Sequence, residues 1–78
     1  VFRRREVVIP AGGHLPYVAA DWADTLLVVA GGEVDLCCLR AGCRRFGPGS
    51  VLFLTGLGLV TLRNPGVDRT VLIACTRS

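Results

Sequence analysis

Apolar residues along this chain come in short blocks, and glycine or proline closes nearly every block. Arg5–Ile9 is rich in β-branched residues and stops at Pro10-Ala11-Gly12-Gly13, a strong turn signal. Leu15–Ala20 reads as a short extended stretch. Thr25–Ala30 is apolar and ends at Gly31-Gly32. Glu33-Val34-Asp35-Leu36 alternates polar with apolar, as a half-buried strand does, and runs on through Leu39 to a tight turn at Ala41-Gly42. Cys43–Phe46 returns and ends at Gly47-Pro48-Gly49. Val51–Leu54, Leu59–Arg63 and Thr70–Cys75 complete the series, with Asn64-Pro65-Gly66 turning between the last two. About eight short strands at regular spacing predict an all-β fold, a small antiparallel β-barrel or sandwich. A rival reading places a helix across Val18–Val29, closed by Gly31. Against it, Thr25-Leu26-Leu27-Val28-Val29 offers no polar stripe and feeds directly into the next strand.

Size and composition sharpen this picture. The 78 residues make one domain, 1–78. A chain this short buries only about 60% of its unfolded surface, yet 51% of its residues are hydrophobic. That is more apolar surface than a small monomer hides, so a homodimer or a lined cavity is expected. The net charge of +3 rests on arginine alone, and the only basic run is Arg3-Arg4-Arg5. A nucleic-acid binder would carry a basic stripe with interleaved aromatics, so no nucleic-acid partner is expected.

The cysteines, Cys37, Cys38, Cys43 and Cys75, contain no C-x-x-C and form no zinc pattern. Adjacent Cys37 and Cys38 point to opposite faces of a strand and cannot share a metal there. The N-terminus is charged rather than apolar, and no apolar run reaches the roughly 20 residues of a membrane helix. These features predict a cytoplasmic protein, away from membranes, whose four thiols are free and pack as small hydrophobes.

Two glycine-framed segments resemble the two motifs of the cupin superfamily. From Gly12, the two histidine positions of the first motif fall on Val18 and Ala20. Its glutamate position falls on Asp24 and its closing glycine on Gly31. From Gly49, the proline position of the second motif falls on Thr55 and its inner glycine on Leu57. Its histidine falls on Val60 and its asparagine on Asn64. The resemblance implies a cupin-like jelly roll with its metal-binding side chains replaced. Valine and alanine offer a metal no lone pair, and one aspartate is not a first shell. No metal and no cofactor are therefore expected.

On a strand, Val18, Ala20, Trp22 and Asp24 share one face. In the cupin register that face lines the barrel with Val60 opposite, so these five residues form the candidate ligand-binding set. An inward Asp24 would serve as a ligand anchor or an acid of raised pKa; otherwise it caps a strand mouth. His14, the lone histidine, is either an exposed loop residue or a general base. Trp22 and Tyr17 suit either a stacking wall or the core. Glu33 and Asp35 read as the solvent face of a strand. Three functions follow: a module that binds a small organic ligand, a metal-free isomerase or cyclase using Asp24 or His14, and an interaction protein that dimerises through an apolar sheet face. The catalytic residues, if any, are not identified by the sequence.

Overall fold

Eight strands and one helical turn make up the computed structural model, which describes residues 2–77. In chain order they are β1 (Phe2–Ile9), β2 (His14–Pro16), α1 (Ala19–Trp22), β3 (Thr25–Gly31), β4 (Val34–Cys38), β5 (Gly42–Phe46), β6 (Val51–Phe53), β7 (Leu59–Arg63) and β8 (Thr70–Arg77). They form two four-stranded antiparallel sheets. Sheet A has the order β1-β8-β3-β6, and sheet B the order β2-β7-β4-β5. This interleaved order is that of an eight-stranded jelly roll, a sandwich rather than a closed barrel. Its free edges are β1 and β6 in sheet A, and β2 and β5 in sheet B.

The core lies between the sheets and follows the two-residue period of each strand. Ile9, Leu27, Val29, Leu72 and Ala74 face inward from sheet A, and Val34, Leu36, Leu59 and Leu62 from sheet B. Trp22 from α1 and Leu54 from the loop after β6 join this core, 5% and 1% exposed. Polar groups inside are satisfied. Asn64, 1% exposed, donates from Nδ2 to the Ile9 carbonyl (2.9 Å) and the Asp68 carbonyl (2.8 Å). Its Oδ1 accepts from the Gly66 N–H at 2.9 Å, so one side chain shapes the turn after β7 and ties it to the end of β1. Gly32 turns β3 into β4 at φ +73°. A Cβ there would stand 2.7 Å from the Arg69 carbonyl oxygen, so the position admits only glycine.

Three sequence expectations change. The stretch after Pro16 leaves the extended conformation, and Ala19–Trp22 makes a single helical turn that ends at Ala23, with Asp24 at φ 53°. Neither a strand through Ala20 nor a helix through Val29 forms. Arg5 holds the turn in place: its guanidinium lies 4.9 Å from the centroid of the Trp22 ring and donates to the Asp21 carbonyl at 2.6 Å. Second, the thiols are not all free. Cys37 and Cys43 are paired partners in the β4–β5 hairpin and form a disulfide, leaving Cys38 and Cys75 as thiols. Third, Asp35 is not solvated. It is 3% exposed, covered by the two arginines that flank it across the sheet.

Candidate functional site

The helical turn disperses the residues that strand alternation would have gathered. Trp22 enters the core, while Val18 (49%) and Val60 (50%) are half exposed and Ala20 and Asp24 face solvent. Val60 is the extra residue at the irregularity where β7 shifts register against β4, which turns it away from the interior. The Tyr17 N–H donates to the Val60 carbonyl at 2.8 Å, so the segments of Val18 and Val60 run together, outside the core rather than within it. Asp24 borders a shallow hollow with Phe2, Leu26 and Phe53 on the outer side of sheet A. His14 pairs with Arg63 on sheet B. The two candidate acid–base groups therefore lie against different sheets.

The geometry of sheet B builds two sites the sequence did not single out. On its outer face, Asp35 stands between its cross-strand partners Arg45 and Arg63. Arg45 Nε donates to Asp35 Oδ1 at 2.9 Å, and Arg63 donates to Oδ2 at 3.1 Å. The Arg45 hydrogen bond is the main force holding the Asp35 carboxyl below its ordinary pKa; burial opposes it and Arg63 adds to it. Asp35 in turn raises the pKa of Arg45. This is a satisfied ion-pair triad on a sheet surface, and a structural one.

The second site is a cleft of about 500 Å³ at the β5 side of sheet B, bordered by the end of β4, by β5 and by the start of β7. Val34, Leu36 and Cys38 face inward along β4, and their partners Phe46, Arg44 and Gly42 share that face on β5. The opposite wall is the loop from Leu54 to Leu59. The Tyr17 hydroxyl donates to the Leu54 carbonyl at 3.1 Å, and the Leu39 N–H donates to the Gly58 carbonyl at 3.2 Å, pinning the loop at both ends. Gly56 and Gly58, both at positive φ, turn the chain so that Leu57 borders the cleft. The lining is otherwise Leu36, Leu59, Phe46, Ala41 and Gly42, with the Cys38 thiol beside them. One charge enters: the Arg44 guanidinium lies 5.5 Å from the centroid of the Phe46 ring. Among the described residues Arg44 forms no ion pair. A concave apolar cleft with a single oriented cation is suited to a small ligand having an apolar body and one anionic group.

Among the described residues, no three of His, Cys, Asp and Glu stand together in a metal-binding cluster, and no helix is long and apolar enough to cross a membrane.

The class of protein that this architecture defines is a compact jelly-roll sandwich. It is similar to the crystal structure of a catabolite activator protein from Thermus thermophilus, with a TM-score of 0.53 and 28% sequence identity. The likeness covers 94% of this chain but only 37% of that one, so this domain corresponds to about a third of the larger protein. No protein-family model matches the chain, and no curated protein does.

Proposed function

We propose that this domain is a ligand-binding regulatory module of cupin-like jelly-roll type, and that its ligand is a small organic acid seated in the cleft beside Leu57. The observation that carries the reading is Arg44: a guanidinium without a carboxylate partner, stacked on Phe46 at the rim of an otherwise apolar cleft. A carboxylate on the ligand would meet the guanidinium in bidentate fashion, and its hydrocarbon part would cover Leu36, Leu57 and Leu59. The volume suits a ligand of modest size. The similarity to a catabolite activator protein supports a regulatory role, since that protein is named for one. The strand order supports the cupin-like part of the reading. Val18, Ala20, Asp24 and Val60 have no part in this cleft.

Calorimetric titration with octanoate and phenylacetate, each against its amide, tests the reading. The acids are expected to bind and the amides to bind more weakly. Arg44→Gln should weaken acid binding about tenfold or more while leaving the fold unchanged by circular dichroism. Equal binding of acid and amide, or of wild type and R44Q, would refute it.

A further inference from the structure

Sheet A is apolar on both of its faces, which a sandwich does not require. Its inner face is the core. On its outer face the strand register sets out successive rows: Arg4–Cys75–Leu26–Phe53, then Glu6–Ile73–Val28–Val51, then Val8–Val71. Phe53 is 63% exposed, Val51 59% and Val8 43%, with no element of the chain laid over them. Four strands about 4.8 Å apart, taken over about six residues of about 3.3 Å each, span roughly 400 Å² in projection. An apolar patch of about that size is as large as a typical monomer exposes, and such patches are often functional.

The two charges within these rows identify what covers them; Arg77 and Asp24 stand at the margin of the face, beside Phe2. Arg4 and Glu6 are two residues apart on edge strand β1, one in each of the central rows, and both are exposed. We infer that the occupant is a second copy of this chain, packed face to face on sheet A about a two-fold axis that runs across the strands between those two rows. That operation lays the Arg4 row over the Glu6 row of the other copy. Arg4 then meets the second copy's Glu6, and Glu6 meets its Arg4. In the same step Leu26 covers Val28, Phe53 covers Val51 and Cys75 covers Ile73, each contact made twice, as an isologous interface requires. With one base and one acid in adjacent rows, the β1 side of the face is complementary to itself in this register, and Arg77 stays at the end of the patch. A shift by one row would set Arg4 against Arg4 or Glu6 against Glu6. Face-to-face sheets pack about 10 Å apart with strands rotated about 30°, and Arg4 is long enough to reach its partner across that splay. The inference does not depend on the cleft, which lies on the other sheet.

Sedimentation equilibrium from low to high micromolar concentration tests it. Wild type is expected to be a dimer. Val28→Glu, which places a charge at the centre of an outward face, should give a folded monomer. Arg4→Glu sets like charges together twice and should weaken the dimer about tenfold. Arg4→Glu combined with Glu6→Arg restores both pairs and should recover it, while each variant keeps the wild-type circular dichroism. A wild-type monomer throughout the range overturns the proposal, as would a dimer indifferent to V28E, which would mean another face. A double variant no tighter than R4E overturns the register. Association with lipid vesicles in place of dimerisation would assign the face to a membrane surface and overturn it too.

Discussion

Asp35 shows what a single residue owes to its neighbours. Burying a carboxylate is costly unless it is paired and hydrogen-bonded, and here both oxygens are occupied by arginines whose side chains remain 55% and 51% exposed. The anion is desolvated while the cations keep much of their water, an arrangement that limits the cost of the pair. Its pH dependence follows from the direction of the shift. Asp35 titrates below its unfolded value of about 3.9, so its contribution is complete above that value and disappears as pH falls through the lower folded value. Asp35→Asn keeps the shape but removes the charge, and should cost about 1–3 kcal/mol at neutral pH. Urea midpoints at pH 7 and below pH 4 check this: the gap between wild type and D35N should be present at the first and shrink at the second. An unchanged midpoint at pH 7 would show that the triad contributes nothing. Alternation along Glu33–Leu36 correctly separates the outer positions from the inner ones. It says nothing of what lies over the outer positions, because the arginines come from β5 and β7, and the β4–β7 register is a long-range property of the sheet.

At the scale of elements, the β4–β5 hairpin is set by its turn. A three-residue connection, Leu39-Arg40-Ala41, joins Cys38 to its partner Gly42, and this places Cys37 opposite Cys43. Centring the turn on Ala41-Gly42 hides that pairing; centring it on Arg40 places Cys37 opposite Cys43. Freshly purified, unreduced protein, denatured and titrated, should therefore show two reactive thiols, Cys38 and Cys75, and four after reduction. Four thiols before reduction would disprove the bridge. Reduction should also lower stability by about 2 kcal/mol, the loop-closure term for so short a loop. The eight strands were legible because glycines and prolines mark their ends and inward positions repeat every second residue. The passage from Val18 to Asp24 was not. Its residues fit an alternating pattern, but alternation over a few residues with three alanines cannot tell one helical turn from a strand. The single inward face read from that alternation is not formed. The cleft was invisible in sequence for a different reason: Arg44, Phe46 and Leu57 are brought together only when β5 and the loop before β7 meet at the β5 side of sheet B.

At the scale of the whole molecule, the jelly roll leaves four strand edges, and how they are furnished governs what the chain does in company. Unpaired edges are templates for strand addition, and natural sheets blunt them with charge, proline or brevity. Here β2 and β6 have three residues each, and β2 ends in Pro16. The two longer edges carry the arginine clusters: Arg3, Arg4 and Arg5 on β1, and Arg44 and Arg45 on β5. More than half of the nine basic residues of the chain thus stand where a foreign strand would dock. Arg3→Thr with Arg44→Thr leaves the core untouched but makes both long edges uncharged and β-prone at those positions. That variant is expected to form thioflavin-positive aggregates under agitation at neutral pH while wild type stays clear; equal behaviour would remove the gatekeeping role. For a chain so rich in valine and leucine, the consequence is a restriction on geometry. Growth strand by strand, the open-ended route to fibrils, is opposed by charge at the two long borders and by brevity at the two short ones, whereas the broad outer face of sheet A stays open to contact.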